Sequence, residues 1–380
     1  MTTPRRTATL TASRGNGGHA KEGRISGYVL KVIRECLWFT QEQLAEHLAI
    51  DTTTLQGWES GRRPLMAIST GAYLSLRHSL LRFGAQPRLL AQLDMALEAD
   101  RFVGYVLSAK AERPAAVDHP LASWVITRPF TDLVAWPFTT TAPSGLAGAI
   151  RTTGRRGPVA TAPALLPDER AHFFKHLKSV AEGADVDRVD GMLLRRQAHY
   201  VASFDDSDDT ADWLTAMQRT EERRMSRGHE WTPSWAVVRS GAHSLARLGD
   251  REGLQHFIRT NLADEVCEIA NLNYWAYWLG EINEPQLNDT FMIELKPDTW
   301  HGTELLRHLI GKLYSTNPYA DVVAHTLWAL VMLRPSTLDP RTADDLKEAT
   351  TRVLEEATVS PQSQRELEAI IYALRMIHRG

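Results

Sequence analysis

From Tyr28 the chain places apolar residues at Val29, Val32, Ile33 and Leu37, the spacing of one helix face. That helix is expected to end near Trp38. Thr40 and Gln43 then stand three apart, as in a capping box where the hydroxyl takes an amide of the first turn and the Gln side chain returns to the cap. The helix they start, TQEQLAEHLA, turns Leu44, Ala45 and Leu48 inward. After the break AID, Asp51 reads as the N-cap of a third helix, its carboxylate at the positive helix end. There Leu55 and Trp58 are expected to face inward, and Thr52, Thr53, Gln56, Gly57 and Ser60 outward. Pro64 ends this helix, since it has no amide to give. Two more helices follow, MAISTGAYLSLRHSLLRFG and PRLLAQLDMALEADRFVGYVL, with Leu74, Leu81, Leu89, Leu93 and Leu97 among their apolar positions.

The pattern then weakens. AKAERPAAVDHP, broken by Pro114 and Pro120, has the composition of a linker, and Leu121 to Pro167 is expected to hold one short helix and otherwise extended chain packed on a larger domain. Beyond Pro167 helical spacing returns with Phe173, Leu177 and Val180, then Trp213, Leu214 and Met217, then Leu254, Phe257, Ile258 and Leu262. Thr232 and Pro233 form an N-cap with proline at the first helical position, and Gly249 closes that helix. ANLNYWAYWLGEI is aromatic on every side, which indicates burial. Thr342 and Asp345 are expected to cap a further helix, and SPQSQRELEAIIYALRMIHR forms the last. The fold class is therefore all-α. Paired short helices suit an α-solenoid or tetratricopeptide-like stack, but no fixed repeat period appears, so an irregular helical domain fits equally.

Composition narrows this picture. The 380 residues are 43% hydrophobic and 23% charged, as in a folded protein of two or three domains. No run approaches the roughly 18 apolar residues of a membrane span, and the N-terminus lacks the apolar core of a signal peptide, so a cytoplasmic location without membrane contact is expected. Cys36 and Cys267 lie in apolar helical patterns and read as buried, reduced thiols. A net charge of −3 argues against coating nucleic acid over the whole surface. It leaves room for a local basic face. Arg5, Arg6, Arg14, Lys21 and Arg24, set against Glu22 alone, make residues 1–27 a basic arm expected to be disordered.

TQEQLAEHLAIDTTTLQGWESGRR resembles the helix-turn-helix of XRE-type (Cro-like) transcriptional regulators over about residues 28–65. The resemblance implies a five-helix, lambda-repressor-like DNA-binding domain over 28–110. It also implies that Gln41 meets a phosphate and braces the recognition helix, that Thr52, Thr53, Gln56 and Gly57 face the major groove, and that Ser60, Arg62 and Arg63 contact the DNA backbone. Glu59 falls where the family is usually structural. Two positions depart from the pattern: Ala49 and Ile50 fill a turn where the family often has glycine, and Gly57 offers no group for reading a base. Gln56 can pair with adenine, and the threonines can meet a thymine methyl. RRQAHY, NLNYWAYWLGE and WHGTELLRHL more loosely resemble the long C-terminal halves of actinobacterial members of this family.

Catalytic chemistry finds no foothold. His172 and His176 stand four apart but lack a third ligand, and His301, Glu304 and His308 form a similar set. DDSDDTAD lacks the glycine and final glutamate of a calcium loop, and GRRGP lacks the order of a phosphate loop. No catalytic residue, metal or cofactor is assigned. Tyr200, Asn273, Tyr274, Trp275, Tyr277 and Trp278 are candidates for a ligand pocket, with core packing as the competing reading. The expectation is a DNA-binding regulator acting as a homodimer on double-stranded DNA, with 111–167 as linker and 168–380 as a helical dimerisation or sensor domain. A switch answering a small molecule or peptide, and an enzyme carrying a DNA-binding module, are the alternatives.

Overall fold

The computed structural model describes residues 23–109, 118–150, 162–225 and 231–377. Arg5, Arg6, Arg14 and Lys21 of the basic arm, and the GRRGP turn, lie outside them. The described residues form eighteen α-helices and no strand. They fall into two compact units, one drawn from 1–108 and 140–164 and the other from 109–139 and 165–380.

The first unit holds α1 (Arg24–Cys36), α2 (Gln41–His47), α3 (Thr52–Glu59), α4 (Thr70–Arg82) and α5 (Pro87–Ser108). The chain leaves it for α6 (Arg128–Thr139) and returns as α7 (Ser144–Ala147). Ile25, Val29, Val32 and Ile33 of α1 are buried with Leu44, Leu55, Leu80, Leu89 and Leu93. α1 begins at Arg24, so Gly23–Gly27 belong to this unit and not to an arm. The cause is a tertiary cap: buried Asp100 of α5 accepts the Ile25 and Ser26 amides at 3.0 and 2.8 Å. Gly27 sits where α1 crosses the end of α3, and a Cβ there would lie 2.2 Å from the Trp58 carbonyl oxygen. On α4 the buried residues are Leu76 and Leu80, whereas Leu74 and Leu81 are exposed, contrary to the expectation for an apolar helix face.

The second unit contains α6 and α8 (Pro167–Gly183), α9 (Val189–Ala202), α10 (Thr210–Met225), α11 (Pro233–Arg247), α12 (Arg251–Asn261), α13 (Glu265–Leu279), α14 (Phe291–Glu294), α15 (Thr303–Lys312), α16 (Ala320–Leu333), α17 (Pro340–Glu356) and α18 (Pro361–Ile377). Chain neighbours pack as α8 on α9, α10 on α11, α15 on α16 and α17 on α18, while α9 meets α11, α13 meets α16, and α16 meets α18. Thr232 caps α11 as expected, accepting the Trp235 amide. The cap of α17 is Asp339, not Thr342, because Pro340 occupies the first helical position and Asp339 Oδ1 takes the Thr342 amide at 2.8 Å.

The weakly patterned segment is more helical than expected, since α6 spans twelve residues. Just before it, 121–126 runs as chain packed on this unit. Gln197 holds it, donating to the Leu121 and Trp124 carbonyls and accepting the Ile126 amide. Of the two cysteines, Cys267 is buried; Cys36 is half-buried, with its thiol toward the Ala149 carbonyl at 3.4 Å. Among the described residues no helix is long and apolar enough to cross a membrane.

Candidate functional site

Two places combine defined geometry with unused chemistry. The first is the α2–α3 pair. The capping box forms, with the Gln43 amide on Thr40 Oγ1 at 3.2 Å and the Thr40 amide on Gln43 Oε1 at 2.9 Å. Asp51 has extended backbone geometry at the head of α3, but its side chain makes no cap bond. Ala49, in the turn, takes a φ of 53°, a left-handed value that glycine adopts without strain.

Buried Glu59 ties α3 to both neighbours. It accepts Arg34 Nε and Nη2 at 2.6 and 3.0 Å, and Gln41 Nε2 at 2.7 Å. Gln41 Oε1 in turn receives Gln56 Nε2 at 3.3 Å, so the amide of Gln56 is braced from α2. Glu59, with Leu55, is the inward pair of α3, and Trp58 is only half-buried.

The remaining candidates divide by exposure. Thr53, Ser60, Arg62 and Arg63 are exposed, and Thr52 and Gln56 are half-buried. Gly57 departs from the outward reading, because it is buried beneath the stem of Arg63. A Cβ at Gly57 would stand 3.0 to 3.3 Å from three carbons of that stem. Arg63 lies back along α3, its Nη1 donating to Thr54 Oγ1 at 3.0 Å and its amide to the Gly57 carbonyl at 3.0 Å. The missing side chain thus accommodates a neighbour within the helix-turn segment.

The second place is a cavity of about 410 Å³ within the larger unit. α11 supplies Arg239, His243 and Arg247, four residues apart and so on one face of the helix. α13 supplies Tyr274, Trp275 and Trp278, α9 gives Tyr200, and Arg128, Asp132, Phe204, His308, Lys312, Tyr314 and Tyr319 complete the charged and aromatic lining. The segments RRQAHY, NLNYWAYWLGE and WHGTELLRHL, distant in sequence, therefore each contribute to one wall. Tyr274 stacks on Trp278 with centroids 5.9 Å apart, and Tyr200 meets Trp278 edge-on at 5.5 Å.

Of the six pocket candidates, Tyr200, Tyr274, Trp275 and Trp278 line this cavity. Asn273 and Tyr277 do not. Asn273 is spent on structure, donating to the Met292 and Leu295 carbonyls and accepting Trp300 Nε1, and the Tyr277 hydroxyl donates to the Val125 carbonyl. The basic residues of α11 had a sequence signal that the aromatic reading passed over: two arginines and a histidine at i, i+4 and i+8 in the otherwise uncharged WAVVRSGAHSLAR.

Electrostatics in the cavity follow from burial. Burial pushes the Arg239 guanidinium down to about 10, with the nearby Arg196 charge acting the same way against the opposing effect of Tyr274. His243 is held at about 3 by burial and then by Arg239, and His308 at about 4 by burial and then by Arg128 and Lys312. Both rings are neutral near pH 7. Since His243 Nδ1 faces the Arg239 carbonyl at 2.8 Å and must donate to it, Nε2 is the ring's acceptor.

The histidine sets considered for metal do not assemble. His176 stacks on His119, with ring centroids 5.6 Å apart. His301 is exposed, and Glu304 pairs with Arg307. Among the described residues no three His, Cys, Asp or Glu side chains converge to hold an ion. Comparison of the chain with protein-family models, curated proteins and solved structures finds no match.

Proposed function

We propose that this chain is a sequence-specific DNA-binding transcriptional regulator of the XRE type, with α2 and α3 as its helix-turn-helix. The observation that carries the proposal is the Arg34–Glu59–Gln41–Gln56 network on a short helix pair bearing the TQEQLA and WESGRR motifs. A helix that reads bases has to meet the groove in one orientation, and a buried ion pair with a bridging amide fixes that orientation before DNA arrives. In this reading Thr52, Thr53 and Gln56 read base edges, and Gln41, Ser60, Arg62 and Arg63 meet phosphates. Gly57 supports Arg63 and reads nothing.

One eight-residue helix reads few bases. The regulator therefore works as a homodimer in the cytoplasm, on half-sites about 34 Å apart, with the larger unit as dimerisation domain and its helix pairs stacked in solenoid fashion. Genome-wide footprinting should yield a common operator, and fluorescence anisotropy should then separate two kinds of variant. Gln56→Ala is expected to lower discrimination at one base pair by about 1–3 kcal/mol, whereas Arg62→Ala weakens binding to all sequences and reduces the salt slope by about one. Operator affinity no better than that for random DNA would overturn the proposal, and a monomer by light scattering would remove the dimer. A second reading, an effector-responsive switch with DNA binding as output, is supported by the lined cavity of the larger unit.

A further inference from the structure

The cavity of the larger unit has a charge that the fold leaves unanswered. Arg128, Arg239, Arg247 and Lys312 line it against the single carboxylate of Asp132, and that carboxylate lies 3.6 Å from Arg128. Other buried arginines of the unit are neutralised: Arg195 meets Glu221 at 2.7 Å, and Arg196 meets Asp289 at 2.7 Å. Arg239 is also buried and Arg247 is half-buried, yet among the described residues no carboxylate lies within ion-pair distance of either. Arg247 is occupied by hydroxyls and rings, donating to Ser203 and Tyr200 and lying 3.9 Å from the Phe204 centroid.

Arg239 is left the most incomplete. It is 4% exposed, its Nε donates to Asn271 Oδ1 at 2.8 Å, and its guanidinium lies 4.2 Å from the Tyr274 centroid. Its Nη2 has no hydrogen-bond partner, and neither has the Trp275 indole N–H. A buried charge without a counter-ion is costly, and a fold that pairs Arg195 and Arg196 has the means to avoid it. Arg presents a planar fork suited to two oxygens of one group, and the surrounding rings offer flat apolar surface. The cavity volume is that of a drug-sized ligand and excludes a folded partner segment.

We propose that this cavity binds a small organic anion, its carboxylate or phosphate oxygens taken by Arg239 and its flat apolar body lying among Tyr200, Tyr274, Trp275 and Trp278. The inference rests on the effector-switch reading only for a consequence at DNA; the binding itself is independent of it.

Isothermal titration of the full chain without DNA tests it, with 1-naphthoate, 1-naphthyl phosphate, the neutral 1-naphthamide and inorganic phosphate as probes. One or both naphthyl anions should bind one to one, at least about tenfold more tightly than the amide or inorganic phosphate. The stronger of the two identifies the headgroup as carboxylate or phosphate. Arg239→Lys should weaken the anions by about tenfold and leave the amide unchanged, because the charge stays and the fork is lost. Should that buried variant fail to fold by circular dichroism, exposed Lys312→Ala carries the test, with an expected loss of about threefold for the anions alone. Absence of binding by either anion, equal binding of anion and amide, or anion affinity unchanged in the folded variants would overturn the proposal. Anion binding by a protein that fails to select an operator removes the regulator and leaves this site standing, and the converse removes only the site.

Discussion

At the scale of single residues, Gly57 and Ala49 show how one backbone position carries a consequence elsewhere. Gly57 reads as a flaw in a helix, since glycine costs roughly 0.5–1 kcal/mol there relative to alanine. The structure gives it a use: the Arg63 stem lies over it, and Arg63 reaches Thr54. Gly57→Ala should gain helix propensity while displacing Arg63 by a few tenths of an ångström, a net change in urea stability of less than about 1 kcal/mol. Removing the stem with Arg63→Ala should then let the same substitution show its full gain, and a double-mutant cycle measures the difference. No coupling between the two positions would sink this account of the glycine. Ala49 is the reverse case, a side chain held at φ 53° where glycine is unstrained. Ala49→Gly is expected to stabilise the chain by up to about 1 kcal/mol, the left-handed penalty partly offset by the freer unfolded backbone.

At the scale of elements, α3 depends on one carboxylate. Glu59 pairs with a guanidinium about as buried as itself and also takes Gln41, so Glu59→Ala leaves Arg34 with only Glu35, 3.8 Å away, as counter-ion. The expected cost is about 3–5 kcal/mol in urea unfolding, because a buried charge loses its partner. A loss below about 1 kcal/mol would mean that the pair does not hold α3 against α1. The two ends of α1 show how unevenly elements can be read from sequence. The capping box of α2, which follows it, was legible because both partners lie three residues apart. The start of α1 was not, since its cap is Asp100, 74 and 75 residues away, and glycine at 23 and 27 gave the segment the composition of a tail.

At the scale of the whole molecule, buried neutral histidines set a pH limit. Burial holds His119 at about 3 and His199 at about 4, both below the ordinary value of 6.5. Between those values the unfolded chain carries more protons than the folded one, so the stability associated with these rings is complete above pH 6.5 and is lost as pH falls toward 4 and then 3. Each fully buried ring should remove about 1.4 kcal/mol per pH unit in that window. Urea midpoints at pH 7.5 and 5.5 should therefore differ visibly, and equal midpoints would show that the rings are not buried neutral in solution. The organisation of the larger unit was legible as helices but not as a site. Aromatic residues of α13 stood out by composition, whereas which of them reach a cavity depends on where α9, α11 and α15 fall against α13.

Local spacing determined what local forces decide: the all-helical class, the capping box of α2, the N-cap of α11, and the short motif on α2 and α3. These features need only partners within one helical turn, and so the linear order contains them. Tertiary structure alone decided that Asp100 caps α1, that Asn273 and Tyr277 are spent on structure, that Gly57 shelters Arg63, and that Arg239 is buried without a carboxylate. Each of those depends on a neighbour distant in the chain or on the volume a side chain occupies, and burial and pairing become properties of a residue only once the helices have packed.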